Sequence, residues 1–198
     1  MPIKILHRNH TELVGKGYVL LTTLNTTGPV ELYPGPVAEE AALSSRAYAI
    51  IGKNNAHDSD HQAQVLQELK ERINGIIDEN RVKCVLELRS NQDPGIEIQT
   101  GPGKTCSEEI SNLIHSFLSK NFPVSLDHEP LESQSKSLTG LERKNQDGTF
   151  AVQSVRINIG SEGLAMRRDK LVDQLAELVG MLNVRLGFDP ASEPVVED

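Results

Sequence analysis

The sequence predicts an α/β fold: a three-layer α/β/α domain built on a central mixed, mostly parallel sheet. Three observations predict it. Short segments rich in Val, Ile, Leu and Tyr alternate with longer segments of helical period, the order expected of a sheet covered by helices. Residues 82–88 lean apolar and directly follow a helical segment, as a central strand covered on both faces does. The length of 198 residues suits one domain, expected over 1–186, while 187–198, with two prolines and four acids, reads as a disordered tail.

The helical segments declare themselves by their stripes. In 62–79, Val65, Leu66, Leu69, Ile73, Ile76 and Ile77 share one face; in 107–120 the set is Ile110, Leu113, Ile114, Phe117 and Leu118. In 168–183 it is Leu171, Val172, Leu175, Leu178, Val179 and Leu182. Ser107 followed by Glu108 and Glu109 gives the second of these an acidic first turn that suits the helix dipole. A shorter helix is expected at 37–46, after a proline. Strands are expected at 18–24, 48–52, 82–88, 95–99, 123–126 and 150–159; 95–99 alternates, so one of its faces is expected to be wet. The polar stretch 127–149 reads as a long loop.

Composition narrows the function classes. Aromatics are 4% with no Trp, so the core is aliphatic. A net charge of -8 repels phosphate backbones and argues against nucleic acid. The apolar runs are too short to cross a bilayer, and the N-terminus lacks a signal peptide's apolar segment; a soluble, cytoplasmic protein without a membrane partner is expected. The two cysteines, Cys84 and Cys106, make no disulfide scaffold. Cys84 reads as a buried small hydrophobe, and Cys106 sits at a helix start, where a thiol can be activated.

Several constellations could carry chemistry. Gly101 to Cys106 evokes a phosphate loop, but the first glycine should stand at 98, which is Ile98, so the segment reads as a turn into a helix whose N-terminus, with Lys104 and Thr105, suits an anion. His57-Asp58-Ser59-Asp60-His61 is the densest set of metal-capable side chains; two histidines four apart could share zinc, and otherwise Asp60 caps the next helix. His7, His10 and Glu12 follow the apolar run Ile3–Leu6 and read as an exposed N-terminal turn rather than a strand end carrying ligands. His115 reads as a packed histidine on an apolar helix face.

Read in order, residues 48–183 resemble the N-formylglutamate amidohydrolase family, zinc hydrolases related in fold to the carboxypeptidases. His61-Gln62-Ala63-Gln64-Val65-Leu66 resembles the histidine-led helix before the central strand, and Cys84 to Ser90 the strand that ends in Asp-x-His-Ser. Residues 95–99 through Gly103-Lys104-Thr105-Cys106-Ser107 resemble the Asp-rich strand, glycine turn and Ser-Cys helix start, and 122–129 the following strand and its loop. Phe150-Ala151-Val152-Gln153 and Arg156-Ile157-Asn158 resemble the final Gln-x-Glu-Ile-Asn strand, with Met166 opening the closing helix. The resemblance puts Arg89 where the family has a metal-binding histidine and Arg156 where it has a catalytic glutamate. A guanidinium stays protonated and offers a metal no lone pair.

Two readings follow, with a third beside them. The first is a catalytically degenerate relative, a pseudoenzyme without a cofactor, whose Arg89, Arg156 and Lys104 contact an anionic small molecule or acidic peptide, aided by Ser90, Thr105 and Asn158. The second is an active zinc-dependent amidohydrolase acting on N-acyl amino acids or γ-glutamyl peptides, with His57 and His61 as metal ligands and Glu87 or Glu97 as general base. The third is a non-catalytic subunit of a homo-oligomer or larger protein complex.

Overall fold

The computed structural model describes residues 1–23, 34–53, 59–91, 94–100, 105–127, 143–160 and 162–189. In chain order the strands and helices are β1 (Ile3–Leu6), β2 (His10–Val14), β3 (Val19–Thr23), α1 (Gly35–Ser45), β4 (Tyr48–Gly52), α2 (Ser59–Asn80) and β5 (Cys84–Ser90). They continue with β6 (Ile96–Gln99), α3 (Glu108–Leu118), β7 (Val124–Asp127), β8 (Arg143–Lys144), β9 (Phe150–Ile159) and α4 (Arg168–Arg185), the last entered through a π-helical turn at Glu162–Met166. The main sheet runs β1-β2-β4-β3-β5-β9-β6-β7, with β8 paired to β9 beside it. The pairs β3–β4, β3–β5, β5–β9 and β6–β7 are parallel; β1–β2, β2–β4 and β6–β9 are antiparallel. The three-layer α/β/α architecture with a mixed sheet, parallel at its centre, is the one the sequence predicts.

Strand alternation sorts the side chains into two different faces. On one, Val19, Leu21, Ala49, Leu86, Leu88, Val155 and Ile157 join the buried residues of α1, α3 and α4 in the larger core. The stripe of α4 is wholly buried, and each such aliphatic side chain contributes about 1.5–3 kcal/mol on leaving water. On the other face Leu20, Ile50, Val85 and Val152 meet Val65, Leu69, Ile73, Ile76 and Ile77 of α2. Along the same face, other positions of β5, β6 and β9 are polar.

Several local expectations change. Residues 3–6 and 10–14 form an antiparallel hairpin at the sheet edge instead of an exposed turn, and Glu12 pairs with Ile50 across the β2–β4 ladder. Helix α2 begins at Ser59, so Asp60 lies inside its first turn and is not its N-cap. The stretch read as one loop contains β8 and a tight turn before β9, while 128–142 lie outside the described residues. At the C-terminus Phe188 is docked: its amide bonds the Asn183 carbonyl and its ring meets Tyr18 edge-on at 5.4 Å. Residues 190–198 of the acidic tail lie outside the described residues. No described helix is long and apolar enough to cross a membrane.

Candidate functional site

The polar grid is built by register. Glu87 of β5 stands opposite Arg156 of β9, and Arg156 opposite Gln99 of β6; one step along, Arg89 faces Asn158 and Asn158 faces Glu97. Because side chains alternate, all six point to the α2 side of the sheet. Three adjacent strands thus contribute two rows of three polar groups.

Glu87 is the hub. It is fully buried, and Arg89 Nε donates to its Oε1 at 2.6 Å. Arg156 Nε lies 3.7 Å from the other carboxylate oxygen. Arg156 Nη1 donates to Gln99 Oε1 at 3.1 Å, and Asn158 Nδ2 to Glu97 Oε2 at 2.7 Å. Burial pulls the Arg156 guanidinium below its ordinary pKa; Glu87 opposes the shift and the like charge of Arg89 adds to it. An arginine stays charged regardless, so two cations and two carboxylates balance within the grid. Arg89 is its open end, with 27% of its side chain exposed against 10% for Arg156.

The grid does not fit zinc. Zinc takes thiolate, neutral imidazole or carboxylate. The grid offers neither thiolate nor imidazole, and its two carboxylates stand beside two guanidiniums that repel a dication. Glu87, named as a candidate general base, is sealed from water and ion-paired. Glu97 is held by Asn158, with Gln99 Nε2 at 3.4 Å from the same oxygen.

Other sequence-named residues fall elsewhere. Ser90 follows Arg89 in the strand and so points to the opposite face. Thr105 donates its hydroxyl to the Thr100 carbonyl, and its own carbonyl takes the Ser154 amide. Ser154 is two residues from Arg156 along β9 and on the same face, roughly 7 Å at the rise of an extended strand. Ser90 therefore turns away from the arginines, while Thr105 lies beside the strand that carries Arg156 with its hydroxyl engaged by the Thr100 carbonyl. Lys104 and His57 lie outside the described residues; His61 lies in the first turn of α2, and its side chain is outside what the structure describes. Cys106 is buried, and burial pushes its thiol up to about 12, so the helix start does not activate it.

A second cluster lies at the β1–β2 hairpin, where sequence reading favoured an exposed turn. His7, His10 and Glu12 hold ligand-capable atoms within 4.8 Å of one another. His10 and Glu12 are two apart on β2 and face α2, where Arg72 grips Glu12 through Nε at 2.8 Å and Nη2 at 2.6 Å. That grip holds the Glu12 carboxyl below its ordinary pKa, with burial opposing. Burial, followed by the neighbouring His7, lowers the pKa of His10. The available signal was the i, i+2 alternation of His10 and Glu12 just before Leu13 and Val14.

No family model matches the sequence, and no curated protein does. Solved structures do match. N-formylglutamate amidohydrolase from Ralstonia eutropha JMP134 superposes with a TM-score of 0.60 at 11% identity, covering 89% of this chain and 97% of its own. A bacteriophage poly-γ-glutamate hydrolase gives 0.53 at 10%, covering 92% of this chain and 91% of its own. A metallo-carboxypeptidase from Pseudomonas aeruginosa gives 0.54 at 10%, covering 89% of this chain and 61% of its own. At identities this low the likeness is one of fold: this chain folds as N-formylglutamate amidohydrolase and the metallo-carboxypeptidases do.

Proposed function

We propose that this chain is a non-hydrolytic relative of the amidohydrolase-type enzymes, and that it binds a small carboxylate-bearing molecule or acidic peptide at the exposed end of the β5–β9–β6 grid. The supporting observation is the pair of arginines on neighbouring strands, facing one side of the sheet, with Arg89 opening toward solvent. A guanidinium recognises a carboxylate through two parallel N–H donors, and Arg89 is the grid member placed to do so. Asn158, opposite Arg89, adds an amide beside it. Two fold relatives are named for N-formylglutamate and poly-γ-glutamate, both rich in carboxylates.

The experiment is a calorimetric titration of the full chain with N-formylglutamate and with glutamate, alongside an assay for deformylation in added zinc. Binding is expected, weakened at least tenfold by Arg89→Ala and partly restored by Arg89→Lys, with no turnover. The second reading, a zinc-dependent amidohydrolase, draws on the fold of its metallopeptidase relatives. Turnover that requires zinc and disappears in the His57→Ala/His61→Ala double variant would establish that reading and overturn the first.

A further inference from the structure

The β1–β2 hairpin carries a set of groups that its packing leaves incomplete. His10 is 3% exposed, and among the described residues neither of its ring nitrogens has a hydrogen-bond partner. Leaving a buried polar group unmatched costs about 1–3 kcal/mol, so a chain that keeps an imidazole in this position invites a partner for it. The surrounding donors are metal-binding ones. His7 Nε2 lies 3.6 Å from Glu12 Oε2, and the His7 and His10 rings stack at 4.2 Å between centroids. Glu68 of α2 stands behind, its Oε1 4.0 Å from His10 Nδ1 and its Oε2 accepting from Asn9 at 2.9 Å.

We propose that His7, His10 and Glu12 form a divalent-cation site, suited to zinc, that fastens the edge hairpin to α2. Two imidazoles and one carboxylate, with a fourth position open to water, are a zinc donor set. Glu12 can serve although Arg72 holds it: a carboxylate has about four lone-pair positions, and the guanidinium takes two. Glu68, its Oε1 4.0 Å from His10 Nδ1, is the carboxylate that would move in to accept from that ring N–H once the imidazole is metal-bound, as outer carboxylates do. Stacked rings direct their in-plane lone pairs side by side, so one ring must turn for them to converge. His7, 40% exposed, is the free-standing ring with room to do so. The backbone around it is anchored. The His7 amide bonds the His10 carbonyl, and the Lys53 amide at the end of β4 bonds the Asn9 carbonyl.

This site is distinct from the β5–β9–β6 grid, and its test is separate from the ligand titration above. The full chain, stripped with chelator, is titrated with zinc alone and, in parallel, with cobalt(II), whose visible spectrum reports tetrahedral nitrogen and oxygen ligation. One equivalent of zinc is expected, with a higher melting temperature and a tetrahedral cobalt spectrum. His7→Ala, a change at a half-exposed side chain, should weaken binding at least tenfold while leaving the circular dichroism of the metal-free protein unchanged. Binding should survive in the His57→Ala/His61→Ala variant, and glutamate binding should survive in His7→Ala. Three outcomes overturn the site: no zinc uptake, uptake indifferent to His7→Ala, or uptake that depends on the His57/His61 pair.

Discussion

A single carboxylate decides what the two central arginines can do. Glu87 is buried between Arg89 and Arg156, and each of its oxygens faces one of them. Glu87→Gln removes the negative charge and keeps the volume, leaving two buried or half-buried guanidiniums with Glu97 as the grid's one remaining counter-charge. Breaking such a pair destabilises by about 3–5 kcal/mol, and denaturant unfolding of the variant checks it. The same position explains why the grid is no site for a dication: a histidine at 89 could offer a lone pair, whereas the protonated guanidinium of Arg89 has none. Cys106 makes a further residue-scale point. With its thiol pushed up to about 12 by burial, it should resist alkylation in the native protein at pH 8 and react at the rate of a free thiol once unfolded.

At the scale of elements, the start of α3 and the start of β3 are each tied by a specific side chain. Ser107 caps α3 by accepting from the Ile110 amide at 3.3 Å, while the Ser107 amide donates to Gln153 of β9 at 2.7 Å. Ser107→Ala is expected to lower stability by about 1 kcal/mol, read as a shift in the denaturant midpoint. Strand β3 starts where the Tyr18 amide bonds Asn183 of α4 at 2.7 Å. The residue before it, Gly17, has φ of 88°, and a Cβ there would meet the Asn183 side chain at 2.6 Å. Nothing larger than glycine therefore fits without loosening α4 from the sheet.

At the scale of the whole molecule, the hairpin edge makes stability depend on pH. Glu12 has a folded pKa held below its ordinary 4.5, so the stability it contributes is present above 4.5 and lost as pH falls through the folded value. His10 has a folded pKa held below 6.5, so in the metal-free protein the unfolded chain takes up its proton first. Stability should therefore begin to fall as pH drops below about 6.5, the ordinary histidine value, and fall further in the Glu12 range. Thermal melts of the chelator-stripped protein between pH 8 and pH 2.5 measure this. An Arg72→Met variant should lose the lower of the two steps, because the Arg72 grip is the largest cause of the Glu12 shift.

The stripes of α2, α3 and α4 were legible because helical period and burial coincide: every residue named for α4 is buried. The middle strands were legible as short segments rich in Val, Ile and Leu between breakers. The N-terminal hairpin was not. Its first strand is exposed, with Ile3 and Leu6 more than half open to solvent, so it lacks the alternation that marks a half-buried strand. The side chains of β2 that matter are polar ones buried only because α2 brings Glu68 and Arg72 over them.

The sequence by itself determined the α/β class, the helices and the aliphatic core, because those depend on the local period of apolar residues. It also placed arginines at 89 and 156, where the resemblance has a metal-binding histidine and a glutamate. The tertiary structure decided which polar groups meet. Strand register brought Glu87 between the two arginines, β-alternation turned Ser90 to the opposite face, and the packing of α2 on β2 drew His7, His10 and Glu12 into one cluster. Those pairings join residues up to about seventy positions apart, as with Glu87 and Arg156, and no local pattern records them.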